Sequence, residues 1–371
     1  MSVPFIDLAR VDPKRDAAVE EAVLRVLRHR QFILGPEVQA FEQAMESLVG
    51  VPAVGVSSGT DALLIGLMAL GVGAGDRVLT SPFSFFATAG VVRRLGATPV
   101  LTDITLNGFG IDPSAVHGEN SCDLKAAIPV HLFGDLCDLA GLQQQIPGVP
   151  LLEDAAQALG VFLPDGRHAG TTGAVGAFSF FPTKNLGACG DAGMVVTSDP
   201  ARLDALRRLR APGQSTQYPP EVVGGNFRLD AIQAAALAAA LPFLAADTEA
   251  RRTNAARYGA LVAESPLTEE HVILPRPHAG HTYHQFVIRV LGGRRDDLQA
   301  ELRKLGMGTA VYYPIPFHLQ PCFRDLGYRQ GDFPRAEQAC EEVLALPIYP
   351  GLRPDEQEAL VAAMSRILLG G

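Results

Sequence analysis

The sequence predicts an α/β fold: a large domain with a mainly parallel sheet flanked by helices, followed by a smaller C-terminal α+β domain. Between about residues 53 and 196, short apolar runs alternate with segments of helical periodicity, which is the pattern of βαβ units. At 371 residues the chain exceeds the size at which a single core usually stops growing. Beyond about residue 270 the rhythm of strands and helices changes, which indicates a second domain.

The elements of the large domain follow in order. Apolar residues at three- and four-residue spacing predict a helix over 14–29, and Gly35 and Pro36 separate it from a second helix near 41–49. An Ala-rich helix near 230–241 ends the domain. Between them, strands and helices are predicted at 54–56, 62–70, 77–79, 87–95, 99–101, 126–130, 150–152, 177–181 and 194–196.

The C-terminal part begins with a predicted connecting helix over 249–261. A strand at 283–290, a helix at 296–304, a proline-rich passage at 311–321 and a terminal helix after Pro354 follow. We therefore place the large domain, with its N-terminal helical segment, at residues 1–245 and the small domain at 246–371.

Composition excludes several classes of function. A net charge of −9 with scattered Lys and Arg argues against a nucleic-acid surface. Five cysteines without CxxC spacing argue against a disulfide framework and favour a reducing, cytoplasmic setting. The N-terminus lacks the pattern of a signal peptide. The longest apolar stretch, 231–246, is shorter than an ordinary membrane span and contains Pro242, so we interpret it as a buried helix.

Lys184 and Asp154 carry the strongest chemical signal. Lys184 lies on a Gly-rich turn after an apolar strand, where a desolvated amine can form an imine with an aldehyde. Asp154 ends another buried strand, at the sheet edge where open α/β folds bind ligands, and can hold a pyridinium nitrogen protonated. Those are the two groups that a protein supplies to pyridoxal phosphate (PLP), so the sequence predicts a PLP enzyme, foremost a transaminase. The alternatives are a solvated lysine and an aspartate that caps a helix over 155–159.

The turn Ser58-Gly59-Thr60 lies between a predicted strand and a predicted helix. Free N–H groups and the positive end of the helix dipole suit an anion there, and Gly59 permits close approach of the backbone. The alternative is an ordinary helix N-cap. Beside Lys184 and Asp154 we interpret the turn as a phosphate site, which Ser179 can complete.

Two further signals lie beside these residues. Gln157 falls one helical turn after Asp154, so both side chains can face one ligand, whereas Glu153 points the other way. Aromatic rings at 83–86 follow a strand end, and one of them can stack on a pyridine ring; plain core packing is the alternative.

Three histidines, His278, His281 and His284, have a spacing that would bring them together on a helix. The segment is predicted as a strand, however, and no cluster of carboxylates accompanies it. We therefore expect no metal site.

Ordered motifs run along nearly the whole chain: PFIDL at 4–8, FILGPEV at 32–38, SGTDAL at 58–63, GDRV at 75–78, GATPV at 96–100, PVHLFG at 129–134, EDAAQ at 153–157, residues 179–193, and GNFRLDAIQAA at 225–235. In these motifs the chain resembles the DegT/DnrJ/StrS family of sugar-nucleotide aminotransferases, within the fold-type I PLP enzymes. The resemblance implies that fold and that cofactor.

The resemblance also implies roles for individual residues. The catalytic pair is Lys184, which forms the imine, and Asp154, which pairs with the pyridine nitrogen. The residues expected to hold the rest of the cofactor are Gln157 at its phenolic oxygen side, Gly59, Thr60 and Ser179 at the phosphate, and Phe85 on the ring face. Asn226, with Arg228, is expected to reach the active site of the neighbouring subunit in a homodimer with shared sites. The residues expected to contact substrate are Arg228, Tyr312, Tyr313 and His318.

The implied reaction has two halves: glutamate donates its amino group, and a keto sugar attached to a nucleoside diphosphate accepts it. The stretch from Cys189 to Gly193 contains a Gly-Asp variant found in relatives that aminate hexoses at C-3, which slightly favours a 3-keto over a 4-keto substrate. Lys184 itself favours transamination over the dehydratases of the family, which have histidine there. A PLP-dependent dehydratase or lyase, an amino-acid transaminase and a non-catalytic PLP-binding regulator remain open.

Overall fold

The computed structural model describes residues 2–212, 222–278 and 280–370. The α-helices in these ranges are α1 (Pro13–His29), α2 (Pro36–Val49), α3 (Gly59–Ala69), α4 (Ala87–Arg94), α5 (Leu139–Gln145), α6 (Pro200–Leu209), α7 (Ala231–Ala240), α8 (Leu244–Glu264), α9 (Arg295–Lys304), α10 (Pro334–Glu342) and α11 (Pro354–Leu369). The strands are β1 (Ala53–Val56), β2 (Arg77–Thr80), β3 (Thr98–Leu101), β4 (Leu124–Ile128), β5 (Leu152–Asp154), β6 (Val175–Ser179), β7 (Gly193–Val196), β8 (Val272–Ile273), β9 (Phe286–Val290) and β10 (Val343–Leu346).

Local signals set several helix ends. Pro13 begins α1, and the Asp12 carboxylate caps it by accepting from the Lys14 N–H at 2.8 Å. Gly50 ends α2 in the left-handed conformation, with φ of 81°. Asp230 caps α7 through the Gln233 N–H at 2.9 Å.

The large sheet is mainly parallel, as predicted. Strands β1, β7, β6 and β5 pair in that order, and β3, β2 and β4 form a second group. Parallel bridges from Ala127 to Leu151 and from Val130 to Asp154 join β4 to β5. Among the strands that the structure describes in this sheet, β7 alone runs antiparallel to its neighbours, β1 and β6. The carboxyl ends of the other six strands therefore share one edge, where ligands bind in open α/β sheets.

Apolar side chains cover both faces of this sheet. On one face, α2 and α7 contribute Phe41, Met45 and Leu237 to a buried cluster. On the other, α3, α4 and α6 contribute residues such as Leu64, Val91 and Leu206. Sheets buried on both faces need continuous apolar strands, and all residues of β1, β5 and β7 are buried.

The C-terminal part has its own antiparallel sheet, in the order β10, β9, β8, and its own buried cluster with α8, α9 and α11. A further apolar cluster joins Phe83, Phe109 and Phe133 to Val287 and Phe317, so the two parts pack together. The division between residues 245 and 246 stays a prediction.

The Ala-rich segment is helical, as predicted from its composition. Within the described ranges, Ala231–Glu264 is the one helical stretch long and apolar enough to cross a membrane by length and composition alone. Buried helices of water-soluble proteins meet the same criteria, and Ala231 and Ala235 pack against Ala22 and Val26 of α1.

The structure differs from the sequence prediction at several elements. Residues 155–159, considered as a helix, form turns, because the Asp154 carboxylate accepts from the Ala156 N–H and Gly160 turns the chain with φ of 85°. Helices α5, α6 and α10 and strands β8 and β10 were not predicted.

Candidate active site

A cavity of about 1000 Å³ lies at the carboxyl edge of the large sheet. Its volume suits a small-molecule ligand. The segments that line it include the turn between β1 and α3, the loop before α4, the end of β5, the loop after β6, residues 284–285, and the C-terminal passage 311–322. The structure therefore brings together segments that are far apart in sequence.

Asp154 is the last residue of β5 and its side chain borders this cavity. It is 5% exposed, and its Oδ2 accepts from the Thr88 hydroxyl at 2.8 Å while Oδ1 accepts from the Ala156 N–H at 3.2 Å. Burial raises the pKa of Asp154, and the two hydrogen bonds and the Lys184 charge oppose this shift without cancelling it.

Glu153, its neighbour, faces the opposite side of the strand. Its carboxylate is fully buried, lies 2.8 Å from His131 Nε2, and accepts from the N–H groups of Gly170 and Thr172 at 2.7 and 2.6 Å. This bonding fixes the loop after β5, so the two adjacent carboxylates have separate tasks.

Lys184 lies on a tight turn after β6. Its own N–H donates to the Phe181 carbonyl at 2.8 Å, and the Ala188 N–H donates to the Phe180 carbonyl at 2.8 Å. Burial lowers the pKa of Lys184 to about 8, with the Asp154 charge opposing the shift. A larger share of neutral, nucleophilic amine is therefore present near neutral pH than for a solvated lysine.

The turn at the start of α3 packs against β6. Ser58 caps the helix, since its hydroxyl accepts from the Asp61 N–H at 3.0 Å, as the N-cap alternative predicted. A β-carbon on Gly59 would lie 2.6 Å from the Ser179 β-carbon, so Gly59 is needed for this close approach. Gly59, Thr60 and Ser179 all line the cavity. The cap uses one of the free N–H groups of the first turn and leaves others for an anion.

Gln157 also lines the cavity, held from two sides. Its Oε1 accepts from the Phe133 N–H at 2.6 Å, and its Nε2 donates to the Tyr313 hydroxyl at 3.3 Å. Tyr313 and Tyr312 line the wall formed by the C-terminal passage, and Phe85 faces them with 56% of its surface exposed. The Phe85 and Tyr313 ring centroids are 6.5 Å apart.

Three predicted site residues do not line this cavity. His318 is 2% exposed; its Nε2 lies 2.9 Å from Glu337 Oε1 and its ring packs edge-on against Phe333. Asn226 is exposed on the segment before α7, and Arg228 bridges to Val56 with a buried Nε that has no hydrogen-bond partner among the described residues.

The three histidines considered for a metal have other partners. His281 stacks on Tyr283 with ring centroids 3.9 Å apart, and His278 Nε2 lies 2.6 Å from Asp135. His284 borders the cavity with Nδ1 3.3 Å from Asn185 Oδ1, and burial lowers its pKa well below the usual range. In the described parts of the chain no group of three metal-ligating side chains is close enough to hold a metal ion.

The sequence analysis did not identify Ser84 and His284, which line the cavity, or Thr88, which donates a hydrogen bond to Asp154. The i, i+4 spacing of Ser84 and Thr88 at a predicted helix start was a usable signal, because such pairs face the same side. Nothing in the local sequence indicated that His284 would border the cavity.

The residues present fit PLP. A buried carboxylate, a lysine with a lowered pKa, a helix N-terminus lined by hydroxyl groups and an exposed aromatic ring surround one cavity. When bound, PLP supplies an electron-withdrawing ring that stabilises negative charge on the substrate carbon.

Comparison with known proteins agrees with this geometry. The family model of the DegT/DnrJ/EryC1/StrS aminotransferases matches residues 13–365. The chain belongs to this aminotransferase family. It is thus an α/β enzyme of the transaminase class.

Relatives of this aminotransferase align over its full length. It is 41% identical to a "Pleiotropic regulatory protein" of Geobacillus stearothermophilus, over 97% of each chain. It is 40% identical to the UDP-N-acetyl-3-dehydro-alpha-D-glucosamine 3-aminotransferase of Acidithiobacillus ferrooxidans, over 100% of this chain and 99% of that one.

A solved structure identifies the cofactor class. NtdA from Bacillus subtilis, solved with bound cofactor PMP, superposes with a TM-score of 0.92 at 29% identity, over 99% of this chain and 85% of that one. The aminotransferase uses pyridoxal phosphate, of which PMP is the aminated form.

Proposed function

We propose that this aminotransferase transfers an amino group from glutamate to C-3 of a keto-hexose carried by a nucleoside diphosphate. The observation that carries the proposal is the placement of Lys184 and Asp154 in one cavity large enough for a cofactor and part of a sugar. The relative named as a 3-aminotransferase of a 3-dehydro sugar nucleotide supports the substrate class. The Gly-Asp variant, found in relatives that aminate at C-3, favours C-3 over C-4, and its Asp191 lines the cavity, where it can contact the substrate.

Each residue has a task in this proposal. Lys184 Nζ would be the base that takes a proton from the amino-bearing carbon of the donor and delivers it to the C4′ carbon of the cofactor, and that moves a proton the opposite way in the sugar half-reaction. Asp154 stays ionised and holds a proton on the pyridine nitrogen. Gly59, Thr60 and Ser179 bind the phosphate, Phe85 covers one ring face, and Gln157 contacts the phenolic oxygen side. Tyr312 and Tyr313 contact the sugar. His318 does not line the cavity, and it supports the passage that carries these tyrosines through its contacts with Glu337 and Phe333.

The proposal includes a cytoplasmic homodimer with shared active sites. Among the described residues that line the cavity, Lys184 is the one lysine or arginine, whereas a nucleoside diphosphate carries several negative charges. The missing positive charge must come from elsewhere, and Arg228 of a partner subunit would supply it, with the neutral Asn226 amide as a further hydrogen-bond donor. The buried Arg228 Nε without a described partner is consistent with this assignment.

The test is a single-turnover assay. Protein carrying the aminated cofactor is mixed with UDP- and dTDP-linked 3-keto and 4-keto hexoses, and return of the visible absorbance of the aldehyde form is followed. We expect the 3-keto compounds to react fastest and glutamate to reverse the change. Preference for the 4-keto compounds would contradict the C-3 assignment, and reaction with 2-oxo acids alone would indicate an amino-acid transaminase.

A second candidate is a PLP-binding regulator without turnover, favoured by the name of the Geobacillus relative. In that case the cofactor absorbance would not change with glutamate or any other amino acid. The variant Lys184→Ala serves as the control, because it lacks the imine-forming amine in either case.

A further inference from the structure

Asp154 is joined to the cavity by a chain of two hydroxyl groups. Thr88 Oγ1 lies 2.8 Å from Asp154 Oδ2, and Ser84 Oγ lies 3.0 Å from Thr88 Oγ1. Thr88 is 0% and Ser84 3% exposed, and Ser84 also lines the cavity. These two hydrogen bonds therefore connect the cavity wall, through the first turn of α4, with the buried carboxylate oxygen of Asp154.

The direction of these hydrogen bonds follows from proton counting. An ionised carboxylate only accepts, so Thr88 must donate its single hydroxyl hydrogen to Asp154. The hydrogen between Ser84 and Thr88 then has to come from Ser84. Ser84 is left with acceptor lone pairs only. The charge on Asp154 therefore fixes the direction of both hydrogen bonds. A protonated Asp154 would remove this order.

The charge on Asp154 depends on few partners. Among the described residues, Lys184, which is partly neutral near pH 8, and His131, whose Nε2 lies 2.8 Å from Glu153, are nearby groups that favour the charged form of Asp154. Tyr313 faces it as a neutral phenol, because burial raises the pKa of Tyr313. Thr88 is the one side chain in the described ranges that donates a hydrogen bond to Asp154. A hydrogen bond to a charged group inside a protein is stronger than a neutral one.

We propose that Thr88, supported by Ser84, is a positioning residue that keeps Asp154 ionised and so keeps the ring nitrogen of the cofactor protonated. The inference rests on the PLP-binding role of Asp154 and not on the identity of the sugar. Thr88 does not line the cavity, so it would control the protonation of the cofactor without direct contact with cofactor or substrate.

The test uses the holoenzyme loaded with cofactor labelled with ¹⁵N at the ring nitrogen. The nitrogen chemical shift reports protonation directly, and a purely structural role of Thr88 would not move it. We expect a protonated nitrogen in the wild type and in Thr88→Ser, a shift toward the unprotonated form in Thr88→Val, and an intermediate shift in Ser84→Ala. Asp154→Asn provides the unprotonated reference.

Kinetics provide a second measurement. In Thr88→Val we expect kcat for both half-reactions to fall about tenfold, with KM for the amino donor changed less than about twofold, and Thr88→Ser to restore the rate. A wild-type nitrogen shift in Thr88→Val would overturn the proposal. If Thr88→Val does not fold, an unchanged shift in Ser84→Ala together with an altered one in Thr88→Ser would overturn it instead. An unprotonated nitrogen in the wild type would overturn the role of Asp154 itself, and a failure with sugar nucleotides alone would affect only the proposed function.

Discussion

Gly59, at the start of α3, lies directly against the side chain of Ser179 at the end of β6. A β-carbon on Gly59 would be 2.6 Å from the Ser179 β-carbon, closer than packed atoms allow. The contact fixes two predicted phosphate-binding residues relative to each other.

The variant Gly59→Ala should therefore separate α3 from β6. We expect a loss of stability of about 1–3 kcal/mol and a cofactor dissociation constant raised about tenfold or more. Urea unfolding and cofactor titration measure the two effects. Gly259→Ala is the matched control, because Gly259 lies within α8 with no atom in reach of the added carbon; it should stabilise the protein by up to about 1 kcal/mol. Unchanged cofactor affinity in Gly59→Ala would contradict the phosphate site.

The lowered pKa of Lys184 predicts a pH dependence in the cofactor-free protein. Because the folded pKa is about 8 and an unfolded lysine titrates near ~10.4, the unfolded chain binds more protons between these values. Stability should therefore rise with pH across that window in the wild type. Lys184→Met should lack this rise. Its gain in stability over the wild type should therefore be largest below pH ~8 and shrink above it. Urea unfolding at a series of pH values is the measurement.

The rate of covalent cofactor capture should follow the same group. Only the neutral amine attacks, so the rate should climb with pH up to about 8 and level off above it. A rate that still climbs toward pH 10 would show that Lys184 has an ordinary pKa.

Glu153 should contribute to acid stability. Burial raises its pKa, but the bonds to His131 and to the Gly173 and Gly170 N–H groups outweigh burial and hold the pKa below its usual range. A lowered folded pKa gives stability that is present above the unfolded value, near pH ~4.3, and is lost as pH falls through the folded value. Glu153→Gln should remove that dependence and cost about 3 kcal/mol at neutral pH. Glu358 is the control, because it forms an exposed ion pair with Arg257 on the surface. Glu358→Gln should change stability by less than about 1 kcal/mol.

Tyr313 should act on catalysis through Gln157. Loss of its hydroxyl in Tyr313→Phe removes one of the two groups that orient the Gln157 amide, worth about 1 kcal/mol, so kcat/KM of the sugar half-reaction should fall about fivefold. Because burial raises the pKa of Tyr313, the effect should not vary with pH in the neutral range. Tyr312→Phe, beside it on the same wall, is the control for general changes in the sugar pocket. Equal effects in both variants would show that the link to Gln157 does not matter.

Much of the fold was predictable because it depends on local patterns. Apolar runs located β1 to β7 to within a few residues, and Gly35 with Pro36 correctly separated α1 from α2. The missed helices α6 and α10 are short and rich in charged residues, and each buries few side chains: Leu206 and Leu209 in α6, and Ala336, Ala339 and Cys340 in α10. So few buried residues give little apolar signal in the sequence. Residues 155–159 were considered as a helix because their local propensity favours one. The propensity takes no account of the hydrogen bond that the Asp154 carboxylate accepts from the Ala156 N–H, which stabilises a turn instead.

The sequence by itself determined the fold class through its alternating strand and helix patterns, and the aminotransferase family through its ordered motifs. It also predicted that Lys184 and Asp154 lie at one edge of the sheet, because both follow the ends of buried strands. Only the tertiary structure decided that Thr88 bonds Asp154, that Tyr313 bonds Gln157, and that His318 turns to Glu337 away from the cavity. The three contacts join residues 66, 156 and 19 positions apart. Such contacts depend on how elements pack and not on any local pattern, since a side chain takes its partner from whichever element lies against it.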